Sequence, residues 1–173
     1  QPVKGLYLWG PVGIGKTKLM DLFYDHLPVQ KIRLHFHAFM RDLHQQLQQK
    51  QGIKDPLKHI AQSLADNFLV ICFDEFFVSN IADAMLLGTL FRYLFAGGTC
   101  LVTTSNVNPD HLYQDGIQRE QFLPTIKLLK QHTTIIHLQS SIDYRLEHIK
   151  SAGIYHSPLN QHSNELLELS FAH

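Results

Sequence analysis

A chain of 173 residues suits one domain with a substantial core. Its hydrophobic share of 45% is that of an ordinary soluble globular protein, and 15 basic residues balance 15 acidic ones, which excludes a global basic field for nucleic acid and a polybasic membrane signal. No apolar run reaches the length of a bilayer span, and a first residue of Gln1 rather than Met gives the expectation of a segment cut from a longer chain, any targeting sequence lying outside it.

In chain order, Gly5 to Trp9 reads as a short buried strand. It runs into Gly10-Pro11-Val12-Gly13-Ile14-Gly15-Lys16-Thr17, a G-x-x-x-x-G-K-T sequence, and a helix follows over about 16–26, in which Lys18 to Phe23 is helical in pattern. Strand, glycine-rich loop and helix are the context a P-loop (Walker A) requires. The glycines let the backbone close around a chain of phosphates, with successive N–H groups pointing inward and the helix N-terminus adding positive potential. In this reading residues 10–18 bind a nucleoside triphosphate, Lys16 places a point charge on the β- and γ-phosphates, and the Thr17 hydroxyl ligates Mg²⁺.

Pro28 interrupts, and the alternation of Lys31 to Phe36 predicts a second strand, continued so that His35 and His37 face one side. The 12 histidines form no close-spaced ligand set, so packing or partner contact is the expectation for this pair. Phe39 to Lys50 predicts an amphipathic helix with Met40, Leu43 and Leu47 at helical spacing, and Leu57 to Asn67 predicts another after the Gly52–Pro56 turn. The apolar run 68–73 predicts a strand buried on both faces of a parallel sheet. It delivers Asp74 and Glu75 at its carboxyl end. This is the Walker B pattern, in which Asp74 holds Mg²⁺, directly or through water, and Glu75 polarises the attacking water.

A helix is predicted over 81–95, closed by Gly97-Gly98, then a strand over 100–105 ending at Asn106, a candidate to orient the attacking water. A helix-rich stretch runs from Pro109 to Lys130, and a fifth strand over 133–138. Arg119, in this stretch, suits an arginine finger because a guanidinium is always charged and forks onto phosphate oxygens; a surface ion pair with Glu120 or Asp115 is the alternative. Cys72 and Cys100 lie in apolar runs and read as buried core residues of a reducing compartment. Alternating strands and helices indicate an α/β fold, a doubly wound five-stranded parallel sheet in three layers, α/β/α, whose ligands bind at the carboxyl ends of the strands.

These residues together resemble the ZapE family, a group of AAA+ P-loop ATPases linked to bacterial cell division, with mitochondrial relatives. The matching stretches are Lys4 to Gly10, His35-Phe36-His37-Ala38-Phe39-Met40, Phe73 to Phe76, Ile81-Ala82-Asp83-Ala84-Met85, Thr104-Ser105-Asn106, Leu112-Tyr113, Gln118-Arg119 and Asp143-Tyr144-Arg145. They cover nearly the whole chain, and the His-Phe-His and Ile-Ala-Asp-Ala-Met stretches are specific to the family. The resemblance implies an ATPase core over 1–145 that uses ATP and Mg²⁺, with Lys16, Glu75, Asn106 and Arg119 catalytic and Thr17 and Asp74 on the metal. It implies that Arg119 acts in trans within a homo-oligomer. It also implies a protein partner, FtsZ of the division ring, and a cytoplasmic location, mitochondrial in a eukaryote. Asn80 stands where relatives are expected to carry Asp, and either residue caps a helix. Residues 146–173 are expected to begin a C-terminal helical region, too short to complete the AAA+ lid. Asp143 and Arg145 are family markers without an assigned chemistry.

Two other readings stand beside this one. A nucleic-acid-linked ATPase such as a helicase loader shares the P-loop, Asp-Glu and Ser-Asn pattern, but the neutral charge and the lack of a basic stripe speak against it. A nucleotide-switched scaffold has no need of Glu75. A GTPase is disfavoured because no Asn-Lys-x-Asp sequence occurs.

Overall fold

A computed structural model describes residues 3–50 and 52–139. Asp143, Arg145 and the expected helical region over 146–173 lie outside the described residues. The elements follow in the order β1 (Gly5–Trp9), α1 (Lys16–His26), β2 (Lys31–His35), α2 (Phe36–Gln49), α3 (Pro56–Asn67), β3 (Val70–Asp74), α4 (Ile81–Ala96) and β4 (Cys100–Ser105). A short 3₁₀ turn over Pro109–His111 leads to α5 (Arg119–His132) and β5 (Thr133–His137).

All five strands pair in parallel, in the order β2-β3-β4-β1-β5. β1 therefore lies inside the sheet, between β4 and β5, and β3 lies between β2 and β4. Strands so enclosed lack a polar face, which is why β3 reads as a continuous apolar run buried at all its positions. Its alternate side chains separate the two faces of the sheet. Ile71 and Phe73 join the larger core with Phe36, Phe39, Leu87, Leu90 and Phe91 from the helices on that side. Val70 and Cys72 join Val102 beneath Met20 of α1 on the opposite face. Burial of a side chain such as Phe73 or Leu87 stabilises the fold by about 1.5–3 kcal/mol each. Cys72 is fully buried, and desolvation pushes its thiol up to about 12. It is a packing residue, as expected from the sequence.

Three local details depart from the sequence reading. β3 begins at Val70 and includes Asp74, because Phe68 caps α3 and the Leu69 N–H donates to Gln30 O at 2.9 Å. The stretch after Pro109 holds one 3₁₀ turn and a loop before α5 starts at Arg119. The third concerns the histidine pair. Helix α2 begins at Phe36, directly after His35, so His37 lies in the first helical turn and the two histidines do not alternate on one strand. The expected cap is present: Asn80 Oδ1 accepts from the Asp83 N–H at 2.9 Å at the start of α4.

Candidate active site

The loop between β1 and α1 is held at both ends. The Gly10 N–H donates to Ser105 O at the carboxyl end of β4, at 3.2 Å. A Cβ at residue 10 would stand 2.4 Å from the backbone oxygen of Leu138, so only glycine fits there. At the other end Gly15 is the residue before α1, with φ 93, a left-handed conformation that other residues adopt only with strain, and a Cβ built there would meet nothing within 4 Å. The space beside Gly15 in that direction is open.

Lys16, the first residue of α1, is 9% exposed. Its ammonium donates to the carbonyl oxygens of Gly10 and Pro11, both at 2.7 Å. Burial lowers its pKa from the ordinary lysine value. The lysine is thus folded over its own loop. Thr17 and Lys18 follow as exposed residues of the first turn.

Asp74 ends β3 on the α1 side of the sheet, in step with Val70 and Cys72, and is 5% exposed. A carboxylate so buried needs a partner. Arg33 of β2 supplies it, with Nε donating to Oδ2 at 2.5 Å and Nη2 donating to Oδ1 at 3.3 Å. The same guanidinium reaches Asp21 of α1 through Nη1, at 2.5 Å. The pairing with Asp74, foremost, raises the Arg33 pKa above an ordinary arginine's. Asp21 lies four positions after Thr17, one helical turn along the same face. One arginine therefore spans from the helix bearing Thr17 to the strand end bearing Asp74.

Glu75 leaves the sheet with φ 57. Its N–H donates to Thr104 Oγ1 at 3.1 Å, and the Phe76 N–H donates to Thr104 O at 2.8 Å. Ser105 Oγ then donates to Phe76 O at 2.7 Å and accepts from the Val107 N–H at 3.1 Å. These bonds fix the ends of β3 and β4 side by side, so that Glu75 and Asn106 line one cavity of about 400 Å³. His37 lines it too, together with Phe76, Phe77 and Val107. The P-loop contributes no wall to this cavity.

Arg119 stands apart from these groups. It opens α5, its Nη2 donates to Asp110 O at 2.7 Å, and its buried Nε has no partner among the described residues. It makes no ion pair with Glu120 or Asp115.

The donors present suit Mg²⁺ bound with a nucleotide. No cluster of three or more His, Cys, Asp or Glu occurs among the described residues. Mg²⁺ in phosphate sites takes only one or two carboxylates, the rest of its shell coming from water and phosphate oxygens. Asp74 and the Thr17 hydroxyl meet that requirement.

Two residues of this region carried no site role in the sequence reading, Arg33 and His37. Arg33 gives no local signal, since its partners lie 12 and 41 positions away. His37 alternates with His35 as a strand residue would, but the helix that starts at Phe36 carries it to the cavity lined by Glu75.

A parallel sheet with a P-loop joining an inner strand to its helix, and an acid pair at the end of another inner strand, is the architecture of a P-loop ATPase. The model of the AFG1-like ATPase family matches residues 1–173, and the chain belongs to that family. It is 51% identical over 168 residues to the cell division protein ZapE of Escherichia coli (strain K12), covering 96% of this chain and 45% of that protein. The chain thus spans less than half the length of the curated relatives it matches. Among solved structures, that of DnaI superposes with a TM-score of 0.61 at 19% identity, covering 83% of this chain and 74% of that one. The DnaC helicase loader superposes with a TM-score of 0.58 at 16% identity, covering 79% and 78%. At such identities the likeness is one of fold. No helix of the described residues is long and apolar enough to cross a membrane.

Proposed function

We propose that this chain is the Mg²⁺-dependent ATP-hydrolysing core of a cell-division motor that acts on a protein partner, FtsZ in the division ring. The observation that carries the reading is the placement of the acid pair. Asp74 points to the α1 side, where the P-loop helix packs, and Glu75 shares a cavity with Asn106.

In this reading the loop amides of residues 10–18 and the helix terminus bind the triphosphate, and Lys16 turns from its own carbonyls onto the phosphates. Thr17 and Asp74 hold Mg²⁺, which supplies neutralisation of charge on the phosphate oxygens. Glu75 accepts a proton from water while Asn106 orients that water. The water oxygen forms its bond to the γ-phosphorus as the bond to the β-phosphate oxygen breaks, and ADP and inorganic phosphate leave. Arg119 acts on the site of a neighbouring protomer in a homo-oligomer, where its guanidinium stabilises charge on phosphate oxygens. A finger of this kind accelerates hydrolysis by about 10³–10⁵.

The relationship to ZapE supports the division role, and the balanced charge supports a protein rather than a nucleic-acid partner. The test is Mg²⁺-dependent ATP hydrolysis measured against protein concentration, with and without FtsZ. Specific activity that rises with concentration, disappears in Glu75→Gln and responds to FtsZ is the expected result. ATP binding without turnover would leave a nucleotide-switched scaffold instead.

A further inference from the structure

Arg33 lies between two carboxylates of unlike exposure. Asp74 is nearly enclosed, and the Asp21 side chain is 51% exposed. The guanidinium engages both oxygens of Asp74 and one oxygen of Asp21. We propose that Arg33 is a positioning residue that governs the metal affinity of Asp74, holding its carboxylate when no metal is bound and ceding it to Mg²⁺ only when a triphosphate arrives with the ion. The inference rests on the reading of Asp74 as a metal carboxylate.

Charge accounts for the conditional step. Arg33 and the two carboxylates it bridges sum to a single negative charge, but a lone divalent cation approaching Asp74 finds both carboxylate oxygens engaged by the guanidinium and meets that positive group at closest range. A triphosphate brings several negative charges to the same place, which outweigh the guanidinium and draw the cation in. Asp21 then offers the guanidinium a second seat, so Arg33 need not return to water when Asp74 turns to the metal. A carboxylate also has lone pairs beyond those a forked guanidinium uses, so sharing during the exchange is chemically possible. The exchange would also alter the tie between α1 and β2, because Arg33 is the link between Asp21 on that helix and the strand end. Metal arrival at Thr17 and Asp74 would thereby be felt in the seating of α1.

The test is Mg²⁺ dependence of nucleotide binding, read with a fluorescent ATP analogue on the full chain, and Mn²⁺ binding without nucleotide, read by electron paramagnetic resonance. In Arg33→Gln the Mg²⁺ midpoint is expected to fall by about ten-fold, the order a nearby unit charge produces in a partly screened site, and Mn²⁺ is expected to bind without nucleotide. Arg33→Lys, which retains the charge, should stay within about two-fold of the parent midpoint. An unchanged or raised midpoint in Arg33→Gln would overturn the proposal and leave Arg33 a structural ion pair. Asp21→Asn, at a half-exposed position, keeps the question answerable if Arg33→Gln does not fold. It commits the guanidinium to Asp74 and should raise the midpoint by about three-fold, and no change there would also overturn the proposal. Asp74→Asn separates the two levels. If it keeps the parent Mg²⁺ midpoint, the metal reading of Asp74 fails and this inference with it; if it shifts the midpoint while Arg33→Gln and Asp21→Asn do not, only the role of Arg33 fails.

Discussion

The N–H of Glu75 donates to Oγ1 of Thr104 at 3.1 Å, a bond from the end of β3 to β4. Glu75 has φ 57 at that point, so the bond fixes the direction in which a residue in a sparsely populated conformation leaves the sheet. Thr104 is buried. Thr104→Val keeps the shape and removes the acceptor. A neutral hydrogen bond contributes about 1 kcal/mol, so kcat is expected to fall about five-fold with KM for ATP unchanged. Steady-state kinetics checks this, and an equal change in KM would assign Thr104 to binding instead.

The same backbone sets a second prediction. Glu75→Gly should relieve the left-handed strain and stabilise the fold by about 1 kcal/mol while abolishing turnover. Glu75→Gln should bind ATP as the parent does and lose at least about 10²-fold in kcat, the usual contribution of a general base. Urea unfolding and single-turnover hydrolysis measure the two effects separately. A stabilised, binding-competent, inactive Gly variant is the signature of strain kept for function.

How much of this was legible beforehand depended on the range of the signal. The P-loop, the buried β3 run and the alternation of strands with helices are written in contiguous residues, whereas the order β2-β3-β4-β1-β5 is set by pairing between strands distant in the chain. The start of α2 was not legible. His35-Phe36-His37-Ala38-Phe39 alternates as a strand would, and no capping side chain or breaker marks the boundary: His35 precedes the helix with no side-chain cap bond. Phe36 is fully buried and first in the helix, so burial continues across the change from strand to helix. That displaced His37 from its true place beside Glu75 and Asn106. Arg33 was illegible for another reason: nothing in Lys31-Ile32-Arg33-Leu34 hints at acids on two other elements.

The Ile-Ala-Asp-Ala-Met stretch acquires a structural reason. Asp83 is 6% exposed and accepts from Asn80 Nδ2 at 2.8 Å, while His44 Nε2 lies 2.7 Å from its other oxygen. The aspartate thereby ties α2 to the start of α4. Asp83→Ala removes the acceptor for both side chains and should destabilise the fold by about 2 kcal/mol, in the range of lost buried polar contacts. Chemical denaturation reads the loss, and nucleotide affinity at a temperature where the variant is folded should be unaltered. A weakened affinity there would place Asp83 in the nucleotide site.

Lys16 gives the last prediction, in which one proton moves two observables in opposite directions. Burial lowers its pKa in the folded chain below the unfolded value of 10.5. Between the folded and the unfolded value the unfolded state binds more protons, so this residue's contribution to stability rises with pH across that window. On the proposed role of Lys16, nucleotide affinity must do the reverse, because a neutral amine offers phosphate no charge and burial disfavours the charged form a triphosphate would bind. Raising the pH toward 10.5 should therefore weaken ATP binding before the exposed lysines titrate. Lys16→Met should weaken binding by about 10²-fold at neutral pH and flatten the alkaline limb, the loss of a charge-assisted contact being worth about 1.5–3 kcal/mol. The stability comparison is made as the difference between parent and Lys16→Met, which cancels the opposite alkaline effect of Cys72, whose raised thiol pKa lowers stability above its ordinary value. A parallel fall of stability and affinity with pH in that difference would contradict the burial of a charged Lys16.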